Sequence, residues 1–303
     1  MQKASLAELD AVIAVARRGN FRAAALELGM SSSALSHAVA GLEARLGVRL
    51  FNRTTRSVSL SAAGEQFVAQ VAPALSEIRG AMDAVNIHRD TPAGTLRINT
   101  AVGAARMILT PLILQYLKLY PEMRVDLVTE GRLIDIVVDG FDAGIRIQEA
   151  VPRDMIAVPL GGPLRSIVVG SPAYFEGRTK PETPGDLLGH SCIRARMAGG
   201  AIYRWEFERR GEQLEIDVQG ALTLDEMTLM LEAARAGVGL GYLSEWTVAA
   251  DIAAGRLVQV LDEWTPAYPG LCLYYPGRRH VPAGLRAFID LIRKTTAGSG
   301  LGF

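Results

Sequence analysis

Hydrogen-bonding side chains cluster between Ser31 and His37, at the start of a segment whose apolar residues recur at helical spacing. These apolar residues are Leu35, Val39, Leu42 and Leu46. They predict a helix that begins at the serines and ends at about Leu46. The side chains that face away from its apolar side are Ser32, Ser33, Ser36 and His37. Hydroxyl and imidazole groups donate and accept hydrogen bonds, so this face could contact base edges in the major groove of DNA.

Basic residues follow this helix in a segment with a different pattern. After Gly47 the sequence VRLFNRTTRSVSL is rich in β-branched and polar residues, which predicts two short strands with a basic tip. Arg53 and Arg56 belong to this hairpin, where guanidinium groups could bind phosphate oxygens. Arg45 and Arg49 are weaker candidates, because a charge near a helix end is usually a solvated face.

Two more helices are predicted ahead of this one. The first begins near Leu6 and stops at Gly19 and Asn20, and the second runs from Phe21 to a break at Gly29. Two helices joined by a glycine turn are the plan of a helix-turn-helix. The spacing alone fits an alanine-rich helical hairpin with no DNA function equally well.

The distribution of charge separates the two ends of the chain. The whole protein carries 32 basic and 32 acidic residues, so its formal net charge of zero would by itself argue against a nucleic-acid partner. Residues 1–60 contain eight basic and four acidic side chains, a net charge of +4, which leaves about −4 on the remainder. A basic head on an acidic body suggests that one end meets phosphate.

The sequence FRAAALELGMSSSALSHAVAGLEARLGVRLFNRTTRSVSLSAAG resembles the signature of LysR-type transcriptional regulators. The matching features are an AL-S-xx-V-xx-LE core, LG-x-RLF-x-R, and a final Leu60-Ser61-xx-Gly64. The motifs cover about the first 65 residues, and the rest of the chain is similar in architecture. The resemblance implies a winged helix-turn-helix that binds promoter DNA as a dimer or tetramer.

The resemblance also assigns roles to single residues. It implies that Ser33, Ser36 and His37 enter the major groove and that Arg53 and Arg56 lie beside flanking phosphates. Ser32 occupies a position where the family commonly has glutamine, so the bidentate glutamine contact with adenine is not available there.

A long helical pattern follows the hairpin, from Ser61 to about Ile87, and Pro73 should kink it. The resemblance implies that its apolar seam forms a dimer. Packing of the seam on the effector domain of the same chain is the alternative. The residues at 91–94, Thr-Pro-Ala-Gly, then mark a linker.

Beyond this linker, short apolar segments alternate with helical patterns. Strands are predicted at residues 95–100, 125–129, 143–147, 166–169, 214–218 and 271–275. Helices are predicted at residues 108–119, 133–139, 227–236 and 283–294. This alternation predicts a wound α/β domain that binds ligands at the carboxyl ends of its strands.

The predicted fold is therefore α/β overall. Residues 1–60 form the winged helix-turn-helix, 61–90 the linker and dimerisation helix, and 91–303 the effector-binding domain. The resemblance implies a periplasmic-binding-protein-like domain of two lobes, the first at about 95–163 and 270–294, the second at about 164–269. A small-molecule effector would bind in the cleft between them.

Candidate effector contacts come from strand ends and from alternation along strands. They are Thr100, Gly103, Arg146, Arg194, Arg196, Tyr203, Trp205 and Asp225. Arg196 is the preferred anchor for an effector carboxylate, because guanidinium binds carboxylates through two parallel hydrogen bonds. An internal ion pair of Arg196 with Asp225 or Glu226 is about equally plausible. Tyr203 and Trp205 could form an apolar wall or simply belong to the core.

Other classes of protein lack support in the sequence. There is no G-x-S-x-G elbow, phosphate loop or G-x-G-x-x-G motif, and the four histidines have no metal-ligand spacing. We therefore expect no enzyme activity, cofactor or metal. A periplasmic solute-binding protein would need an export signal, and none is found.

The expected location is the cytoplasm, which suits a chain with two cysteines and no run of about 20 apolar residues. A redox sensor acting through Cys192 or Cys272 is a weaker variant, because free cysteines are usually buried. The expected partners are promoter DNA, a second copy of the chain, an effector that is anionic if Arg196 anchors it, and RNA polymerase if the protein is an activator. No membrane is expected.

Overall fold

Three helices and a two-stranded wing form the amino-terminal head. The computed structural model describes residues 4–54, 58–85, 91–277 and 281–298. The elements of the head are α1 (Leu6–Arg18), α2 (Phe21–Glu27), α3 (Ser32–Leu46), β1 (Phe51–Arg53) and β2 (Val58–Leu60). Side-chain oxygens of Ser5, Asn20 and Ser31 accept backbone N–H bonds at the starts of the three helices. Gly19 and Gly47 end α1 and α3 with φ of 58° and 71°. The predicted helix-turn-helix and wing are confirmed.

The long helix α4 (Ala62–Val85) is fixed against the wing by the last residues of the signature motif. The Ser61 hydroxyl donates to the Arg49 carbonyl at 2.6 Å and accepts the Gly64 N–H at 3.0 Å. A Cβ on Gly64 would lie 2.0 Å from the Leu50 carbonyl oxygen, so only glycine fits this approach. The motif Leu60-Ser61-xx-Gly64 therefore determines how α4 leaves the head.

The apolar seam of α4 begins within the head. Leu75 is buried, and Phe67 and Val71 are partly buried against the apolar core of α1, α2 and α3. Ile78, one turn further, is 41% exposed. The first half of the seam therefore packs within its own head, which neither sequence interpretation anticipated. Ile87 lies outside the described residues.

The first lobe is built on a five-stranded sheet with the order β4-β3-β5-β14-β6. Its strands are β3 (Gly94–Thr100), β4 (Met123–Thr129), β5 (Ala143–Ile147), β6 (Met155–Pro159) and β14 (Leu271–Pro276). Strand β3 runs parallel to β4 and β5, and β14 returns antiparallel. The helical elements are α5 (Val102–Ala104), a π-helical turn (Ala105–Leu109), α6 (Thr110–Leu119), a 3-10 turn (Gln148–Ala150) and α10 (Ala283–Gly298). One face of the sheet packs on α6 and α10, where Tyr116 and Phe288 are fully buried.

The predicted helix at 133–139 is wrong. Residues 136–140 form a single turn instead, in which the Asp135 carboxylate accepts the N–H groups of Val137 and Val138. Gly140, with φ of 71°, then ends the turn. The apolar spacing was correct for a helix, but a cap and a glycine only five residues apart leave room for one turn.

The second lobe contains three small sheets. Its strands are β7 (Ser166–Gly170), β8 (Arg194–Ala195), β9 (Trp205–Arg209), β10 (Glu212–Ile216), β11 (Thr223–Leu224), β12 (Gly241–Ser244) and β13 (Val258–Val260). They pair as β12-β7-β13, β10-β9 and β11-β8. The helical elements are α7 (Pro172–Phe175), α8 (Met227–Arg235), α9 (Glu245–Ala253) and 3-10 turns at Pro184–Gly189 and Asp262–Trp264. Leu164 and Tyr268, on the two segments that cross between lobes, pair through backbone hydrogen bonds of 2.9 and 2.8 Å.

One helical stretch, Val102–Leu119, is long and apolar enough to cross a membrane by composition alone. Its residues Leu109, Leu112 and Tyr116 are buried in the core of the first lobe. The apolar character of this stretch is therefore explained by packing inside the protein.

Replacing Gly64 with alanine should destabilise the head by about 1–3 kcal/mol, because α4 must move away from the Leu50 carbonyl. The head contains no tryptophan or tyrosine, and Trp205, Trp246 and Trp264 all lie in the second lobe. Circular dichroism should therefore report an earlier loss of helix in Gly64→Ala, while the thermal transition followed by tryptophan fluorescence stays unchanged.

Gly41→Ala on α3 is the matched control, since a Cβ there would meet atoms only at 3.6 Å or beyond. Its helical transition should stay in place or rise slightly, because alanine favours helix. Equal transitions for the two variants would contradict the close approach of α4 to the wing.

Candidate functional site

The outward face of α3 is held in place by its buried side. Leu35, Val39 and Leu42 are buried in the head core. On the opposite side Ser32, Ser33 and His37 are exposed and Ser36 is half-buried. The hydroxyls of Ser31 and Ser33 lie 3.0 Å apart and share a hydrogen bond. A fixed helix therefore presents the polar side chains that the sequence singled out.

The wing is joined to α3 through Glu43. Its carboxylate accepts the N–H groups of Leu50 and Phe51 at 2.8 and 3.2 Å and pairs with the Arg53 guanidinium at 3.0 Å. Arg53 also lies over the Phe21 ring, 4.5 Å from its centroid. The charge of Arg53 is thus partly neutralised before any phosphate is met. Arg56 lies outside the described residues.

Several other cations of the head are already paired. Arg17 and Arg18 contact the Glu27 carboxylate, and Arg45 lies 2.6 Å from Glu8. The Arg45 guanidinium, together with Ser5, lowers the pKa of Glu8 to about 2.

Two exposed guanidiniums of the head carry free charge. Arg22 and Arg49 make no ion pair within the described part of the chain. They are therefore additional candidates for phosphate contact. The sequence placed both in a basic head but could not distinguish paired from free charges.

On the first-lobe side of the cleft, Arg146 is 7% exposed at the end of β5. Its Nη2 donates to Asn99 Oδ1 at 2.6 Å and to the carbonyls of Glu130 and Arg132 at 3.1 and 2.8 Å. Within the described residues no carboxylate pairs with it, and burial lowers its pKa. Arg146 Nε and Asn99 Nδ2 are buried without an acceptor. The Arg146 guanidinium therefore hydrogen-bonds only to neutral groups, while the Glu130 carboxylate acts on it without a direct ion pair.

Thr100 and Gly103 follow the same edge of the sheet. Thr100 is completely buried, and its hydroxyl donates to the Ala101 carbonyl at 3.3 Å. A Cβ on Gly103 would meet nothing within 4 Å. Gly103 therefore borders open space, whereas Thr100 offers no surface in this conformation.

On the second-lobe side, the parallel pairing of β8 with β11 brings Arg194, Arg196 and Asp225 to one edge. Arg194 lies 3.4 Å from Asp217. Arg196 is exposed, donates to the Gly200 carbonyl at 3.3 Å and makes no ion pair among the described residues. The alternative ion pair of Arg196 with Asp225 or Glu226 does not form, which leaves its guanidinium available.

The two predicted aromatic residues have different environments. Trp205 is fully buried and stacks on Tyr242 with ring centroids 5.4 Å apart. The proposed wall is therefore corrected, because Trp205 is a core residue with no surface toward a ligand. Tyr203 is half-buried and stacks on Tyr242 at 6.3 Å.

Side chains of the two lobes contact each other at several places, and Trp246 of the second lobe packs against the first-lobe core. Arg106 Nη1 donates to the Thr228 hydroxyl at 2.6 Å and lies 3.8 Å from Glu226. Gly131 approaches Ala198, since a Cβ on Gly131 would lie 3.1 Å from the Ala198 Cβ. The sequence analysis missed Arg106. The available signal was that it is the only charged residue between Thr100 and Leu117.

The geometry suits recognition of an anion. Each lobe contributes a guanidinium that forms no ion pair among the described residues, Arg146 and Arg196, and guanidinium groups bind carboxylates through two parallel hydrogen bonds. Within the described ranges no group of three or more histidine, cysteine, aspartate or glutamate side chains is placed to hold a metal ion.

Comparison with known proteins matches both parts of the chain. Residues 6–65 match the bacterial regulatory helix-turn-helix protein, lysR family, and residues 89–297 match the LysR substrate binding domain. The Escherichia coli regulator YcaN is 44% identical over 289 residues, covering 95% of each chain. The E. coli regulator PgrR is 38% identical over 294 residues, covering 97% of this chain and 98% of PgrR.

Solved structures give the same result for the fold. The Vibrio cholerae virulence activator AphB superposes with a TM-score of 0.67 at 21% identity, covering 98% of this chain and all of AphB. The regulator CrgA of Neisseria meningitidis superposes with a TM-score of 0.58 at 28% identity, covering 96% and 99%.

Regulators with these two domains bind DNA and small-molecule effectors and form oligomers. Both domain matches and the full-length relatives place the head and the two lobes described above in that plan. The chain belongs to the LysR family of bacterial helix-turn-helix transcriptional regulators.

Proposed function

We propose that this regulator responds to a small anionic molecule bound between the two lobes, with Arg196 as the anchor. The observation that carries the proposal is that Arg146 and Arg196 have no carboxylate partner among the described residues. Arg146 is buried, and a buried charge is costly until an opposite charge approaches it, whereas Arg196 is exposed and available to bind the anion. Gly103, Arg194, Tyr203 and Asp225 would surround the ligand, and Thr100 would contact it once the lobes rearrange.

On the DNA side, we assign base contacts to Ser32, Ser33, Ser36 and His37. Arg22 and Arg49 would contact phosphates, because their charges are free. Arg53 would both hold the wing through Glu43 and approach the backbone of DNA. Arg56 remains a prediction from the sequence.

The proposed assembly is a dimer or tetramer joined through α4. The exposed Ile78 supports a partner beyond the point where the seam leaves the head. The proposal also sets the domain boundaries at 60 and 90 and divides the lobes near 163 and 270.

A movement of the two lobes relative to each other would tilt α4 and alter the spacing of the heads. Contact with RNA polymerase would follow if the regulator is an activator. We also propose a cytoplasmic location, because that is where its DNA partner would be.

An enzyme is the main alternative, and we propose that the chain is not one. His190, which could act as a base, lies 3.1 Å from the Tyr174 hydroxyl, and that hydroxyl also accepts the Ser191 N–H. This histidine is therefore engaged near the second-lobe core and not beside a nucleophile in the cleft.

A peroxide sensor is the other alternative, and the environments of the thiols argue against it. Cys192 and Cys272 are both buried. Burial raises the pKa of Cys192 to about 12 and also raises the pKa of Cys272. Thiolate is the reactive form, so both thiols should be inert near neutral pH.

His37→Ala should lower the preference for operator over random DNA by about 1–3 kcal/mol per half-site, because it removes a base contact. Arg49→Ala should weaken binding to all sequences alike and reduce the slope of log affinity against log salt by about 1. Titrations of both DNAs at several salt concentrations measure these effects.

Arg45→Ala is the control for Arg49→Ala, because Arg45 is paired with Glu8. Its salt slope should stay close to that of the wild type. Equal losses on operator and random DNA for His37→Ala would refute its assignment as a base contact.

Arg196→Ala should weaken binding of the effector anion by roughly 10- to 100-fold, the loss expected for a hydrogen bond to a charged group. The probes are acetate, succinate, benzoate and citrate, and the measurement is the rise in melting temperature at increasing probe concentration. Operator binding without probe should not change.

Arg204→Ala is the matched control, an exposed second-lobe arginine that is already paired with Glu215. It should keep the full stabilisation by the probe. If no probe stabilises the wild type, or if Arg196→Ala responds as strongly as Arg204→Ala, the anion site is wrong.

In native protein at pH 8, a thiolate-selective disulfide reagent should leave Cys192 and Cys272 unmodified, because both pKa values are raised by burial. After unfolding in guanidinium chloride, both thiols should react. Rapid modification of either thiol in the native protein would revive the redox alternative.

A further inference from the structure

The head contacts the first lobe of its own chain at the turn formed by residues 136–140. Arg17 Nη1, at the end of α1, donates to the Asp139 carbonyl at 2.7 Å. Val138 packs against the apolar core of the head. Burial raises the pKa of Asp139, although Arg17 partly opposes the shift. The contact therefore excludes water and combines a charge-assisted hydrogen bond with apolar packing.

Two arginines, one from the head and one from the first lobe, approach the turn at Gly140. Gly140 has φ of 71°, and a Cβ there would lie 3.1 Å from Arg17 Nη1 and 3.3 Å from Arg97 Nη1. Arg97, on β3, donates to the Gly140 carbonyl at 2.9 Å. The head and the sheet of the first lobe thus each hold the same turn through an arginine.

The chain that leads into this turn begins at residue 130, next to the buried Arg146. The carbonyls of Glu130 and Arg132 accept hydrogen bonds from the buried Arg146 guanidinium. Residues 130–140 therefore connect Arg146 with Arg17 through a short stretch of chain that is bonded at both ends. A displacement of Arg146 would pull on the carbonyls that begin this stretch.

We propose that Arg17, Val138 and the backbone of Asp139 and Gly140 form a clasp that docks the head on its own first lobe and transmits the state of the cleft to the head. The inference rests on the proposed effector site, because it supplies the route by which that site would act. One hydrogen bond and one apolar side chain make a small contact. A ligand with ordinary differential affinity for two states can open or close such a contact.

The first test measures amide hydrogen exchange at the clasp in protein without DNA or effector. Arg17 and Arg18 both pair with Glu27, but the hydrogen bond to the Asp139 carbonyl of the first lobe comes from Arg17. In full-length protein, Arg17→Ala should accelerate amide hydrogen exchange in peptides covering residues 136–141, and Arg18→Ala should not. Val138→Ser, which leaves the head sequence intact, should accelerate the same peptides. Unchanged exchange in both Arg17→Ala and Val138→Ser would overturn the clasp.

The second test asks whether the clasp transmits a change at Arg146 to the DNA-binding head. Arg146→Lys should change the affinity for operator DNA by roughly 2- to 30-fold in the wild-type and Arg18→Ala backgrounds, the range of ordinary coupling between sites. In the Arg17→Ala background this change should disappear. An equal change in all three backgrounds, or no change in the wild type, would refute transmission through the clasp.

The clasp and the proposed effector site can be disproved separately. Stabilisation of Arg17→Ala by the carboxylate probes should remain, because the cleft is intact. Loss of carboxylate binding in the wild type would remove the proposed function but leave the exchange result at residues 136–141 unaffected.

Discussion

The effector domain depends most on the hydrogen bonds that the buried Arg146 guanidinium donates. It joins β5 to the Asn99 side chain on β3 and to the carbonyls that follow β4, so it holds three strand ends in one arrangement. A cation buried this deeply normally has a carboxylate partner. Here the guanidinium hydrogen-bonds only to neutral oxygens, and the Glu130 carboxylate acts on it without a direct ion pair, so its charge is incompletely balanced. An anion would relieve that imbalance, which explains why a ligand could shift the packing of the residues around it.

The hydrogen bonds of Arg146 are connected to the DNA-binding head through residues 130–140. The segment that solvates Arg146 continues into the turn that Arg17 contacts, and the head continues into α4 at Gly64. The head is thus held from two directions, by the wing contact with α4 and by the first lobe. Its free charges, Arg22 and Arg49, lie outside these contacts, whereas most of its other described arginines serve ion pairs within the protein. These ion pairs are already subtracted in the net +4 of the head, so they show which arginines remain for DNA and do not lower its net charge.

Local patterns predicted the head and the strands well. Caps at Ser31 and Asn20, glycines at helix ends and buried apolar runs act over a few residues, so they can be recognised in sequence. Pairing across the fold could not be recognised in this way. The burial of Trp205, the Arg53–Glu43 pair and the Arg106 contact with Thr228 depend on residues that are distant along the chain. The false helix at 133–139 shows the same limit, because its spacing was helical while Asp135 and Gly140 restricted it to one turn.

We expect an anion bound between the lobes to rearrange the DNA-binding heads. The most direct measurement is a nuclease footprint of the full-length protein on its operator, with and without a carboxylate that raises its melting temperature. The protected region should change in length or spacing when that carboxylate is present. A footprint that stays identical while the carboxylate is bound would contradict the claim.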